Sequence, residues 1–172
     1  MDTVKITSGN LRGRTLFTPG GNTHPMGARE KLALFNMISS YLKDATVLDA
    51  YAGSGALGIE AISRGASEVI FIEKNAKAAQ IIRQNLANLY LKADVFQGAV
   101  ENFQSEARFD IILADPPYDN FIPESINGLT PFLKKDGILV LSHPGKAPEI
   151  NGLSLLKSNQ YAGAHLSLYI KH

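Results

Sequence analysis

Between Val47 and Gly58 the chain runs Val-Leu-Asp-Ala-Tyr-Ala-Gly-Ser-Gly-Ala-Leu-Gly, an apolar strand that ends in an acid and breaks into glycines opening a helix near Ala56. This stretch constrains the fold more than any other. Gly53 and Gly55 can take φ > 0 and let a ligand approach the backbone with no Cβ in the way. The helix that follows points unpaired N–H groups at whatever binds there. A preformed cleft for a nucleoside-bearing cofactor is expected.

Gly53, Gly55 and Gly58 also spell G-x-G-x-x-G, and Glu73 stands 20 positions beyond the first glycine, as dinucleotide sites require. Spacing therefore cannot choose the cofactor. Asp49 can: a fixed carboxylate beside the turn repels a doubly charged pyrophosphate but suits a ligand carrying positive charge, such as the ammonium and sulfonium of S-adenosylmethionine. The methyl donor is favoured over a nicotinamide cofactor. Asp49, Ala50, Gly53, Ser54 and Gly55 are the candidate contacts at the turn. Glu73, followed by Lys74, ends the next strand, Glu68 to Ile72, where a carboxylate can accept both ribose hydroxyls.

The 172 residues suit one domain, and 45% hydrophobic content supplies a sizeable core. With no Cys there is neither a disulfide framework nor a thiolate metal site, and no metal is expected. No apolar run approaches a membrane span and no secretory signal is visible, so a cytoplasmic protein without membrane contact is expected. The net charge is only +1, so any nucleic-acid contact must be a local patch. Such a patch lies at the amino terminus, where residues 1–31 carry Lys5, Arg12, Arg14, Arg29 and Lys31 against Asp2 and Glu30. That arm is a candidate phosphate contact.

In order, the chain predicts two short strands, Val4–Thr7 and Arg14–Phe17, joined through glycine and Asn. Pro19 to Asn22 makes a short connection, and His24-Pro25 holds the chain extended. A helix follows at about Ala28 to Tyr41, its stripe made by Leu32, Phe35, Ile38 and Leu42 with Leu34 and Met37 widening it. His24 is a candidate contact for RNA or cofactor. Further on come helix Ala56–Arg64, a helix capped by Asn75 and buried through Ala79, Ile82, Leu86 and Leu89, strand Ala93–Gln97, a short helix from Val100 to Glu106, and strand Phe109–Ala114. A helix at Pro123–Leu133, strand Gly137–Ser142 and a closing strand pair around Tyr161-Ala162-Gly163 complete the pattern. Alternation of this kind implies an α/β fold, a doubly wound and mainly parallel sheet. We expect residues 1–42 to form an amino-terminal hairpin and helix that contact RNA, and residues 43–172 the main domain.

Strand Phe109–Ala114 delivers Asp115-Pro116-Pro117-Tyr118. An exocyclic nucleobase amine is a poor nucleophile because its lone pair is delocalised into the ring. Asp115 can accept one amine N–H and the Pro116 carbonyl the other, steering nitrogen towards tetrahedral geometry. Pro116 and Pro117 stiffen the turn, holding both acceptors ready. Tyr118 offers a face for an unstacked base, worth about 1–3 kcal/mol. Orientation then carries most of the catalysis. The released proton can leave through Asp115 or to water.

Taken together, Gly9-Asn10-Leu11-Arg12-Gly13-Arg14, Ala33-Leu34-Phe35-Asn36, Leu48 to Gly58, Ile72-Glu73 and Asp115 to Tyr118 resemble the bacterial family of small-subunit ribosomal RNA guanine-N2 methyltransferases. The resemblance implies a Rossmann-like class I methyltransferase with a seven-stranded sheet and a small amino-terminal extension, and S-adenosylmethionine as donor. It also implies Asp49, Gly53 and Gly55 at the methionine side, Glu73 on the ribose, and guanine N2 of 16S ribosomal RNA, within the small subunit, as target. The chain departs from the family in having His24-Pro25-Met26 where Arg-Pro-Thr is usual, a rearranged Ala28-Arg29-Glu30-Lys31, and Gly98-Ala99 where an Asp or Asn often meets adenine, leaving the Ala99 backbone for that contact. The rival readings are methylation of DNA adenine or cytosine, or of a protein amide, a non-catalytic RNA-binding assembly factor and, last, a nicotinamide oxidoreductase.

Overall fold

A computed structural model of the chain describes residues 1–21, 26–119, 121–161 and 163–172. The readings placed on Asn22, His24, Pro25 and Ala162 lie outside the described residues. Seven strands form one sheet in the order β5-β4-β3-β6-β7-β9-β8, from β3 (Thr46–Asp49), β4 (Glu68–Glu73), β5 (Asp94–Gln97), β6 (Phe109–Ala114), β7 (Leu133–His143), β8 (Leu153–Tyr161) and β9 (Ala164–Lys171). Only β9 runs against its neighbours, so the sheet is mainly parallel, as the alternation predicts. Strand order reverses between β3 and β6, which pair directly with Asp49 opposite Leu113. In open α/β sheets the crevice for ligands opens at such a point, beyond the carboxyl ends of the strands.

Helices α1 (Ala28–Met37), α2 (Ala56–Ser63), α3 (Ala76–Asn88) and α4 (Pro123–Asn127) complete the layers. Ala79, Ile82, Leu86 and Leu89 are all buried, and the Asn75 side chain accepts from the Ala78 N–H at 2.9 Å, as the pattern and the cap require. Helix α1 is shorter than expected and gives way to a 3-10 turn at Ser39–Tyr41, where consecutive serines are weak helix formers. Its inner stripe is as expected at Leu34, Phe35, Ile38 and Leu42, all buried, but at the start Lys31 takes the inward place and Leu32 is 48% exposed. The helix expected from Pro123 to Leu133 is cut short at Asn127, before Gly128 and Pro131, and β7 begins at Leu133 rather than Gly137. From Val100 only one 3-10 turn, to Asn102, forms.

The amino-terminal hairpin, β1 (Thr3–Lys5) and β2 (Thr15–Phe17), lies on the outer side of α2 and α3. Glu60 of α2 is fully buried and accepts from the Thr7 N–H at 2.9 Å and from the Thr7 hydroxyl, while Lys31 Nζ and Arg64 Nε sit 3.6 and 3.8 Å from its oxygens. Lys31 also donates to the Lys5 carbonyl at 2.9 Å. Burial lowers the Lys31 pKa and Glu60 opposes that shift. Lys31 is therefore not an RNA contact: it fell on the inner face of α1 and ties that helix to α2 and the arm.

Gly9, at φ 84°, brings the arm so close to α2 that an added Cβ would sit 1.8 Å from the Ser63 carbonyl oxygen. Asn85 of α3, 1% exposed, accepts from the Phe17 N–H at 2.9 Å and donates to the carbonyls of Phe17 at 2.9 Å and Ser54 at 3.0 Å. Ile6, Leu16, Leu34 and Phe35 join Val47, Ile59, Ile82 and Ile138 in one apolar core. Replacing Glu60 with Ala should leave Lys31 as an uncompensated buried charge and cost about 3–5 kcal/mol, read as a lower urea midpoint.

Candidate active site

Both sequence-predicted acids lie at the crevice between β3 and β6. Asp49 ends β3 and Asp115 follows β6 by one residue. With Asp49 opposite Leu113, strand spacing and rise put the two Cα atoms about 8 Å apart. Asp49 is 1% exposed; its Oδ2 accepts from the Gly58 N–H at 2.9 Å, and its Oδ1 has no hydrogen-bond partner among the described residues. Burial pushes its carboxyl up to about 7; the Gly58 N–H works against this, and the charges of Asp115 and Glu73 add to it. Asp49 thus lies beneath the surface of the crevice, behind the Gly58 N–H that holds it.

The glycine turn takes the expected form, with Gly53 at φ 56° and Gly55 at φ 83°, immediately before α2. Nothing lies within 4 Å of where a Gly53 Cβ would stand, so the backbone there faces open space. Gly58 has another role, because a Cβ at that position would come within 2.3 Å of the Phe71 ring and 3.0 Å of Asp49 Oδ2. Its absence lets α2 close onto the sheet and deliver the N–H that holds Asp49.

Glu73, half-buried at the end of β4, accepts from the Gly53 N–H at 2.7 Å and the Asn75 N–H at 2.9 Å. Each carboxylate oxygen keeps a further lone pair for a hydroxyl donor. Lys74 is exposed beside it, and Gly98 and Ala99 are half-buried at the end of the adjoining β5. Gly98 is required because a Cβ would lie 2.7 Å from the Phe96 ring. Ser54 is buried with its carbonyl taken by Asn85. Ala50 is a correction: it is fully buried, its N–H donates to the Leu113 carbonyl at 2.9 Å, and it offers a ligand no surface.

Burial pushes the Asp115 carboxyl up to about 6, and a hydrogen bond from the Ser142 hydroxyl works against the shift. Pro116 is buried and Pro117 exposed, so the turn is packed on one side and open on the other. Tyr118 is half-buried, with its hydroxyl hydrogen-bonded to Ser142 Oγ on β7. Burial raises the pKa of that hydroxyl, Ser142 lowers it, and the charges of Asp115 and Glu30 raise it further. Ser142 was not among the residues singled out from the sequence; the signal for it was a polar residue closing the apolar run Ile138–Leu141 at a strand's carboxyl end.

The basic candidates are spread out. Arg29 is exposed at the start of α1, beside Glu30. Arg12 and Arg14 are exposed on a loop that docks at the far end of α2, where Leu11 N–H donates to Ser63 Oγ at 2.9 Å and Asn10 N–H to the Ser63 carbonyl at 2.8 Å. That is a helix length of roughly 12 Å from the glycine turn. Among the described residues no cluster of three or more metal-ligating side chains occurs, and no helix is long and apolar enough to cross a membrane. A separate groove of about 520 Å³, between Val100–Phe103 and Phe132, holds none of the site residues.

Residues 4–170 match the family described as Conserved hypothetical protein 95. The chain belongs to that family. "Putative rRNA methyltransferase YlbH" of Bacillus subtilis strain 168 is 33% identical over 182 aligned positions, which cover 98% of this chain and 99% of that protein. "Ribosomal RNA small subunit methyltransferase D" of Escherichia coli K12 is 36% identical over 129 positions, 72% of this chain and 65% of that one. Among solved structures, "Putative methyltransferase yhhF" of Escherichia coli superposes with a TM-score of 0.90 at 30% identity, covering 99% of this chain and 98% of the other. The family and the fold that the motifs suggested are those found.

Because Asp115 contributes to the raised pKa of Asp49, replacing Asp115 with Asn should lower the Asp49 titration midpoint from about 7. Carboxyl NMR of the free protein reads this directly, and an unmoved midpoint would mean that the two groups do not share one hollow.

Proposed function

We propose that the protein transfers a methyl group from S-adenosylmethionine to the exocyclic N2 amine of a guanine in small-subunit ribosomal RNA. The observation carrying this reading is the placement of three acids at the carboxyl ends of adjacent parallel strands, Glu73 on β4, Asp49 on β3 and Asp115 just past β6, with the glycine turn tied to Glu73 through the Gly53 N–H. The residues fit the donor: Asp49 has a buried oxygen with no partner, Gly53 leaves open space above the turn, and Glu73 has acceptor capacity for ribose hydroxyls. When bound, S-adenosylmethionine supplies a methyl carbon already activated by its sulfonium.

The chain's own residues do the rest. Asp49 attracts the positive charge from below without contributing a contact surface. The glycine turn and the first turn of α2 admit the ligand backbone-close, while Glu73 orients the sugar. Asp115 and the Pro116 carbonyl accept hydrogen bonds from the two amine N–H groups, so the nitrogen lone pair faces the donor; one of those protons then leaves through Asp115 or to water, and Tyr118 provides the ring on which the base rests. Asp115 acts as an ionised acceptor, and protonation through about 6 switches it off.

Purified protein incubated with labelled donor should methylate small-subunit particles or their RNA, with N2-methylguanosine found by nucleoside mass spectrometry; label in duplex DNA alone would replace the RNA reading. Asp115→Asn should lower kcat by at least about 100-fold while leaving affinity for the demethylated product, S-adenosylhomocysteine, within a few-fold. Donor affinity should fall as pH drops through about 7, where Asp49 loses its charge. Calorimetric titration in wild type and Asp49→Asn separates that dependence from others, since the variant should show a flatter profile.

A further inference from the structure

Ser142 is buried at 3% exposure on β7. In the parallel pairing of β6 with β7, Ala114 lies opposite Leu141, so the next residues along, Asp115 and Ser142, emerge side by side at the crevice. Its Oγ is hydrogen-bonded to the Tyr118 hydroxyl. A serine hydroxyl has one proton to give, and a carboxylate can only accept. If that proton goes to Asp115, the one shared with Tyr118 must come from the tyrosine, and the order is Tyr118 O–H to Ser142 Oγ–H to the Asp115 carboxylate.

We propose that Ser142 is a positioning residue that locks Tyr118 and Asp115 into one directed hydrogen-bond chain, so that the pocket presents only acceptors to the incoming base. In that order Ser142, the neighbour of Asp115 across the β6–β7 pairing, engages one carboxylate oxygen and leaves the other for the amine. The Tyr118 proton is committed inward, and its oxygen lone pairs are left for the substrate. The remaining charge near Tyr118, Glu30 on α1, is acceptor-only as well. Along its Watson–Crick edge guanine sets the N1–H donor beside the N2 amine and meets such a lining, whereas on the same edge adenine N1 and cytosine N3 are acceptors beside the amine and would confront like with like. This deepens the guanine reading above and rests on it for the substrate, but not for the hydrogen-bond chain itself.

The charged and titratable groups around Asp115 are Asp49 and, beyond it, Glu73 on one side, with Tyr118 and Glu30 on the other. Of these only Tyr118 is bonded to Ser142, so changing Ser142 leaves the charges of Asp49, Glu73 and Glu30 in place. In the free protein, Ser142→Ala should raise the Asp115 titration midpoint above about 6, because the donor that favours its ionised form is gone, and Ser142→Thr should restore it. With substrate, Ser142→Ala should lower kcat by at least about tenfold, shift the acidic limb of the pH–rate profile to higher pH, and leave KM for the donor within about twofold. Tyr118→Phe and the double variant Ser142→Ala/Tyr118→Phe should lose no more together than the worse single change, since the pair acts as a unit.

An unmoved Asp115 midpoint in Ser142→Ala, or losses that add in the double variant, would overturn the role of Ser142 while leaving the methyltransferase reading intact. A moved midpoint in a protein that methylates no RNA would overturn the substrate reading instead. Should Ser142→Ala fail to fold, Ser142→Thr and Tyr118→Phe carry the same comparison, and an Asp115 midpoint unchanged in Tyr118→Phe would then count against the chain.

Discussion

A carboxylate sealed from water, with one oxygen held by a single backbone N–H and the other left without a partner, is costly for a protein to keep. Asp49 is in that state, and much of the central architecture is what permits it. Gly58 must lack a side chain for the N–H to arrive, Phe71 must fill the space beside it, and α2 must begin immediately after two residues of positive φ. The same geometry opens the glycine turn. The burial of Asp49 and the opening of the glycine turn therefore rest on one junction, where β3 passes into α2.

The coupling of Asp49 to Asp115 and Glu73 gives three acids in one electrostatic neighbourhood. Burial does most to resist the ionisation of Asp49, and the two neighbouring charges add to it. Asp49, its carboxyl pushed up to about 7, is only partly ionised near neutrality, and a cation beside it would favour the charged form.

Where backbone conformation and strand order decide the outcome, the sequence was readable. Positive φ at Gly53 and Gly55, the acid at each strand end and the cap at Asn75 are local requirements with few solutions, and the alternation of elements left little freedom for the sheet. Helix phase and burial were harder. In α1, Lys31 and Leu32 are adjacent, and only tertiary structure shows that the lysine faces inward, because its partner Glu60 lies 29 positions away in the chain. Ala50 was read as a ligand contact from its place next to Asp49, but strand pairing to Leu113 took it into the core. Ser142 escaped notice because its meaning comes from Asp115 and Tyr118 across a strand pairing that sequence proximity does not reveal.

Asn85 has three of its bonding positions filled, two by the backbone of Phe17 and one by the carbonyl of Ser54. A single amide thus stitches the outermost hairpin to the floor of the ligand cleft through the body of α3. Peeling the hairpin away would strand an amide in an apolar interior and loosen the very loop that must stay taut. The arm is, in mechanical terms, a brace on the cleft.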